Sequence, residues 1–477
     1  MERILSVLEM RNADSYTINT LGIPSEILVE RAGQALAEEI IKKFLGGRVL
    51  FCVGKGNNGN DGKVASRILS QKHGFSVALF DVEKPDFSLF DNKFDIIVDC
   101  VFGTGLNKEV TGDYKKIINL INESNAKIVA CDIPSGLNGD NGLSMGACVK
   151  ADLTVAIQEY KTGYFLNDGP DYCGEIIKKD IGISIWGDYF VNRLQNADVS
   201  TLFYVRNKNV NKGNFGKTAI VGGSKNFPGS VLISSLGLSA LKMGTGYVTL
   251  VVPNCIYNAV AGKVPECIIN VFNDNGNSIV FDKIALDSLL KYDYIAFGMG
   301  ATVSDDVYSC IKYLLSNYKG KLLLDADALN SLAKYGVDVL LAKSCNVVLT
   351  PHIAEFARLL GVDKSVVMQN PINLAKEFAE KYGVTLVLKS ATTVITDGNT
   401  VYLNTTGNSS LAKGGSGDLL SGITAGLLAR NNNVTFTCAC ASYLMGLASE
   451  IATKNGNEYT VTATDVINAL PQAINSL

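Results

Sequence analysis

Short apolar runs alternate with helical stretches along the whole chain, and about half of the runs are followed directly by glycine or aspartate. In the first part, residues 48–53, 77–80, 95–101, 127–131 and 153–157 read as buried strands. Helical patterns stand between them, over 13–44 with a break at Gly22-Ile23-Pro24, and over 64–72. In the second part the strands are expected at 217–221, 247–252, 292–297, 321–324, 345–349 and 385–388. Helices are expected at 229–242, 417–430 and 438–454. Strands separated by helices need crossover connections, which gives parallel sheets covered on both faces. Such sheets bind ligands at the carboxyl ends of their strands. The polar motifs fall at those ends, and no short-period repeat interrupts the pattern.

A chain of 477 residues with 47% hydrophobic residues has material for two cores. The polar, aperiodic stretch 186–200 is the expected linker, with domains over 1–198 and 199–477. The net charge of -3 leaves no basic footprint for nucleic acid. The N-terminal segment lacks a basic-then-apolar leader, and no apolar run reads as long enough to cross a bilayer. The 11 cysteines include no C-x-x-C pair and read as reduced thiols, which points to the cytoplasm. With only two histidines, His73 and His352, a histidine-rich metal site is excluded. Any bound metal is then a hard cation held by oxygen.

The run Ala412-Lys413-Gly414-Gly415-Ser416-Gly417-Asp418 precedes a helical stretch. Its glycines let several backbone N–H groups converge, and a helix starting there adds its positive dipole end. The product is an anion hole suited to phosphate. A carboxylate at its rim makes sense as a base that takes a proton from a hydroxyl attacking that phosphate. Asp418 as a plain helix cap is the alternative.

Three loops at successive strand ends form a first constellation. Gly54-Lys55-Gly56-Asn57-Asn58-Gly59-Asn60-Asp61-Gly62 is neither G-x-G-x-x-G nor a Walker loop. Its amide and carboxylate oxygens suit a hard cation or a ribose, or simply a polar turn. Asp99 precedes Phe102-Gly103-Thr104-Gly105, and Cys131 precedes Asp132-Ile133-Pro134-Ser135-Gly136. Together with 21–33, these segments resemble the NAD(P)H-hydrate epimerase family, over most of the first ~200 residues. The resemblance implies that Asn57, Asn58, Gly59, Asn60, Asp61, Gly103, Thr104, Gly105, Leu106, Asn107, Lys108 and Glu109 contact the dinucleotide. It implies K+ ligands Asn58, Asp99 and Ser135, and makes Asp132 the substrate-contacting candidate base. Asn60 stands where the family has glycine; were a positive φ needed there, asparagine is the best other residue.

The second constellation comprises Gly222-Gly223-Ser224, Gly298-Met299-Gly300, Asp325-Ala326-Asp327-Ala328-Leu329-Asn330, Thr350-Pro351-His352-Ile353-Ala354-Glu355, Lys389 to Thr393 and the 414–418 loop. Each has a plain alternative: Asp325 a cap, His352 a satisfied turn histidine, Lys389 an exposed strand-end lysine. As a set they resemble the ADP/ATP-dependent NAD(P)H-hydrate dehydratase family, from about Val205 onward. The resemblance places Gly300, His352 and Asp418 on the hydrated dinucleotide. It places Lys389, Ser390, Ala391, Thr392, Thr393, Gly415, Ser416 and Gly417 on the adenine nucleotide. Met299 stands where the family usually has proline, and Ser390 where it has glycine.

The resemblances imply an N-terminal Rossmann-like domain followed by a ribokinase-like α/β domain, as in bifunctional NAD(P)H-hydrate repair enzymes. Hydration of the nicotinamide ring gives two epimers with hydroxide as a poor leaving group. Phosphorylating that hydroxyl, with Mg2+ on the donor phosphates, lets phosphate leave and restores the ring. An epimerase domain recovers the other epimer. The implied partners are hydrated NADH or NADPH and ADP (or ATP), ADP preferred; homo-oligomers are expected from the apolar content. The competing reading is a small-molecule alcohol kinase fused to a non-catalytic binding module. It would release a stable phosphorylated alcohol in place of free phosphate.

Overall fold

The structure is a computed structural model that describes residues 1–187, 191–238, 240–454 and 456–477, with no account of the side chains of 234–241. Positions 188–190 of the expected linker and Ser239 of the expected 229–242 helix therefore lie outside the described residues. The chain divides into two bodies, Arg3–Tyr189 and Phe190–Leu477 with Met1–Glu2. The expected boundary at 198/199 lies further along.

The first body carries strands β1 (Glu2–Leu5), β2 (Gly47–Val53), β3 (Phe75–Asp81), β4 (Ile96–Cys100), β5 (Lys127–Cys131), β6 (Leu153–Ile157), β7 (Tyr160–Lys161) and β8 (Glu175–Lys179). Six of them form one parallel sheet in the order β3-β2-β4-β5-β6-β8. β1 and β7 lie outside that sheet and pair in parallel, Ile4 opposite Tyr160. Successive side chains of a strand face opposite ways, and β2 shows the consequence. Val49, Phe51 and Val53 join a core with Leu28, Leu36 and Ile40 of the helix Ser25–Lys43. Leu50 and Cys52 join another with Ile117, Ile118 and Ile121 of the helix Gly112–Glu123. Burial on both faces is why these strands read as continuous apolar runs.

The helix expected over 64–72 begins earlier, at Asn57, and runs to Ser70. The supposed glycine loop is thus largely the first two turns of a helix. Asn60 lies inside it and has no positive φ, so the conformational reason offered for asparagine there does not hold. The expected break at Gly22-Ile23-Pro24 does separate two helices, Val7–Asn19 and Ser25–Lys43, the first of which begins at Val7 and not at Ala13. Ser6 caps the first, its hydroxyl accepting from Glu9 N while the Glu9 carboxylate accepts from Ser6 N, so the start is set by a capping box.

The second body carries β9 (Val191–Arg193), β10 (Lys217–Val221), β11 (Tyr247–Pro253), β12 (Ile268–Phe272), β13 (Tyr294–Phe297), β14 (Lys321–Leu324), β15 (Asn346–Leu349), β16 (Thr385–Leu388), β17 (Thr393–Thr396) and β18 (Val401–Asn404). They run in the order β12-β11-β10-β13-β14-β15-β16-β17-β18-β9. The sheet is parallel from β12 to β16, and the β16–β17 and β17–β18 pairs are antiparallel. The expected linker is corrected here: Val191–Arg193 is a strand on β18, and Asn196–Ser200 is a helix. On one sheet face Ile220, Leu250, Ala296, Leu323 and Val348 pack against the helices Ser416–Leu428, Val434–Lys454 and Ala463–Asn475.

Val434–Lys454 also corrects the reading that no apolar run could span a bilayer. By length and composition it could. Its Cys438, Ala441, Leu444 and Ala448 are buried in that same core, so the apolar composition is spent on packing.

Candidate functional sites

In the first body, the loops after β2, β4 and β5 surround one cavity of about 780 Å³. Asn57, Asn58, Asp61, Gly103, Thr104, Gly105, Leu106, Asn107, Lys108, Glu109 and Asp132 line it. Gly59 and Asn60 do not. Gly59 serves the loop's shape: a Cβ there would stand 1.8 Å from the Gly54 carbonyl oxygen.

Asp132 follows β5 directly, at φ 61. Aspartate tolerates this left-handed conformation better than most residues. Its backbone N donates to Val155 O at 2.9 Å, and its carbonyl accepts from the Tyr164 hydroxyl at 2.5 Å. Its Oδ1 accepts from Ile157 N at 3.0 Å and from Lys161 Nζ. Lys161 also lines the cavity and was missed in the sequence. The available signal was a lysine placed four residues beyond a mostly apolar strand. Asp61 faces Asp132 and Asp14, and burial with those two charges pushes its carboxyl up to about 8. Burial also raises Asp14.

Asn58 lines the cavity, whereas Asp99 and Ser135 are buried outside its lining. Asp99 is fully buried; it accepts from Ser135 N at 2.7 Å, Ser135 Oγ at 2.6 Å and Val101 N at 3.2 Å. Burial pushes its carboxyl up to about 6 against those bonds. Asn58 Nδ2 donates to Cys131 O at 2.7 Å, which leaves Asn58 Oδ1 buried without a partner among the described residues. An orphaned buried oxygen costs free energy unless something binds it. An all-oxygen donor set of this kind fits a hard cation.

In the second body, Gly415 is the N-cap of the helix Ser416–Leu428 at φ 93, and no side chain caps it. Asp418 is therefore free of the capping role. It lies in the first turn, where backbone N–H groups lack helical acceptors. Burial, with Asp325 next, raises its carboxyl to about 7, while a Ser230 hydrogen bond and Lys389 act the other way. Asp325 is buried, and its Oδ1 accepts from Lys389 Nζ at 2.9 Å and Ala326 N at 2.9 Å. Its Oδ2 accepts from Ser421 Oγ at 2.6 Å. Asp325 is not the cap of the following helix; that position is Ala326, at φ 50. Gly417 sits over this pair, its Cβ direction 3.4 Å from Lys389 Nζ. Gly300 approaches Ser230, the same residue that bonds Asp418.

His352 caps the helix Ile353–Leu360: Nδ1 accepts from Ala354 N at 3.1 Å and Glu355 N at 3.3 Å. Nδ1 as acceptor makes Nε2 the protonated nitrogen of the neutral ring. Burial, Lys389 and Arg358 lower its pKa, which favours that neutral form. The backbone of Lys389 bridges His352 in parallel, with Lys389 N donating to Pro351 O at 2.8 Å. Of the other residues expected on nucleotide, Ser390 and Ala391 are exposed, Thr392 and Thr393 are buried, and Thr393 opens β17. No cluster of three or more acidic, histidine or cysteine side chains able to hold a metal occurs among the described residues. Sequence reasoning also missed Ser230 and Ser421, since a lone serine in a helix carries no distinguishing signal.

The profile of the NAD(P)H-hydrate dehydratase family matches residues 218–472, and that of the YjeF-related protein N-terminus matches 25–88 and 80–163. The chain is 32% identical to the bifunctional NAD(P)H-hydrate repair enzyme Nnr of Moorella thermoacetica, over 99% of this chain and 97% of that one. It is 33% identical to the Nnr of Archaeoglobus fulgidus, over 95% of each. Among solved structures, the ADP/ATP-dependent NAD(P)H-hydrate dehydratase of Bacillus subtilis, co-crystallised with ATP and Mg2+, is similar at 26% identity and TM-score 0.50. It covers 59% of this chain and 97% of its own. A ribokinase-like superfamily protein of Enterococcus faecalis, at 24% identity and TM-score 0.53, covers 61% and 98% and shares the fold.

Proposed function

Since this chain belongs to the family of bifunctional NAD(P)H-hydrate repair enzymes, we propose that its first body epimerises hydrated NADH and NADPH and its second dehydrates the S hydrate at the expense of ADP. The observation that carries the second activity is Asp418, a carboxyl raised by burial at the head of a glycine-initiated helix. Asp418 takes the proton of the substrate hydroxyl as its oxygen attacks the terminal phosphorus of the nucleotide. The first-turn amides of the helix hold the transferring phosphoryl group. The nucleotide leaves one phosphate shorter. Loss of phosphate, with a proton from the neighbouring ring carbon, then restores the double bond. Lys389 and Ser421 fix Asp325 beside this centre, and His352 offers its Nε2 proton to the dinucleotide.

Mg2+ when bound neutralises charge on the nucleotide phosphates. In the first body, Asn58, Asp99 and Ser135 would hold K+, which would supply a fixed positive charge to the site. The orphaned Asn58 Oδ1 supports that assignment. Asp132 moves the proton at the epimerising centre, and the 103–109 loop orients the nucleotide. The 11 cysteines, without any C-x-x-C pair, support a reducing, cytoplasmic setting.

The test incubates hydrated NADH, enriched in the R epimer, with Mg2+, K+ and either ADP or ATP. Return of the dihydronicotinamide absorbance, with free phosphate in step, is the expected result and names the donor. Consumption of the R epimer faster than its spontaneous conversion reports the first body. No recovery with either nucleotide, or a stable phosphorylated product, overturns the dehydratase assignment in favour of an alcohol kinase.

A further inference from the structure

The proposed chemistry leaves one buried cation without a role. Lys161, on β7, is 1% exposed and is the only buried lysine or arginine among the described residues. A buried ammonium is costly, and an apolar residue of similar volume often serves the fold as well or better. Its presence at the wall of the cavity therefore asks for a reason beyond packing.

Its contacts supply one. Lys161 Nζ donates to Asp132 Oδ1 and, at 2.7 Å, to Ile157 O. Ile157 N donates to the same Oδ1 at 3.0 Å. The Tyr164 hydroxyl fixes the Asp132 carbonyl from behind, and its ring lies 5.9 Å from the ammonium. Both donors fall on one carboxylate oxygen. Among the described residues no N–H donates to Oδ2, the Tyr164 hydroxyl being the one further group at the carboxylate, and Asp132 lines the cavity. A carboxylate clamped by one oxygen has its other oxygen's direction set in advance.

We propose that Lys161 is a positioning residue for epimerisation: by holding Asp132 Oδ1 it leaves Oδ2 as the oxygen that exchanges the proton with substrate. This rests on the reading of the first body as an epimerase. Lys161 acts only through Asp132, so its effect belongs to the reacting step and not to the binding of the dinucleotide.

The test compares epimerisation kinetics of the full chain, wild type, with Lys161→Met, Lys161→Arg, Asp132→Asn and the Lys161→Met/Asp132→Asn double variant. Lys161→Met should lower kcat about 100-fold with KM unchanged. Lys161→Arg should recover part of that loss, because a guanidinium keeps the charge without the point geometry. The double variant should be no slower than Asp132→Asn alone, since a residue that works through another adds nothing once that one is gone. A loss carried by KM, or a double variant slower than Asp132→Asn by the full Lys161→Met factor, overturns the proposal. Thermal unfolding shows whether Lys161→Met folds. Should it not, Lys161→Arg decides: lowered kcat at constant KM supports the role, and an unchanged kcat overturns it. An inactive wild-type chain removes the epimerase reading and this role with it, whereas the variant patterns bear on Lys161 alone.

Discussion

Asp418 shows how one residue is tuned by what surrounds it. Its carboxyl keeps its proton up to about pH 7 because burial and the neighbouring Asp325 disfavour the charge. A base must be ionised, so kcat/KM for dehydration should climb as pH rises through that region and level off above it. Asp418→Asn should lower dehydration by ~10²–10⁴-fold. Stability moves the other way. The folded-state value lies above the ordinary 3.8, so the unfolded chain loses this proton first and folding weakens as pH rises from about 4 to 7. Asn carries no such penalty. The variant should therefore melt above the parent at pH 8 and alike near pH 4, by calorimetry at both. A variant that melts lower at pH 8 would mean the carboxylate is a structural partner first. The type of this residue was plain in the sequence, from a glycine run ahead of a helical stretch. Its environment was not, because Asp325, Lys389 and Ser421 come from positions up to 96 residues apart.

Helix starts are the elements on which both sites hang, and the sequence located them unevenly. Ser416–Leu428 was placed within two residues at each end, since glycines mark its entry and apolar residues its length. Asn57–Ser70 was placed seven residues late, since two glycines and four polar residues in its first turns mimic a turn. Helices tolerate such residues where tertiary contact rewards them, and Gly59 is the contact: the Gly54 carbonyl leaves no space for a side chain. Gly59→Ala should displace this helix start and abolish epimerisation while dehydration continues, which parallel assays of one preparation would reveal. Asn60 is an ordinary helical position. Asn60→Gly should therefore give no gain in epimerase rate and lower stability by at most about 0.5 kcal/mol. A rate increase on restoring glycine would show that the asparagine side chain, and not the backbone, is what the site resists.

At the scale of the molecule, the strands buried on both faces were legible and the edge elements were not. β4, β5, β14 and β15 each carry three or more consecutive apolar residues, whereas β9, with the sequence Val-Asn-Arg, carries no pattern of its own. It is a strand because β18 offers it a row of backbone partners, Val191 opposite Val401 and Arg193 opposite Leu403. Propensity over three residues cannot report such a long-range pairing. This decides where the chain divides. A fragment starting at 199 lacks β9 and leaves β18 as a bare edge, open to pairing with other chains. A fragment starting at Phe190 keeps the strand. The longer fragment should therefore unfold at higher temperature and stay monodisperse at concentrations where the shorter one associates. Equal melting and equal scattering of the two would mean that β9 contributes nothing to the second body and that the division belongs after it.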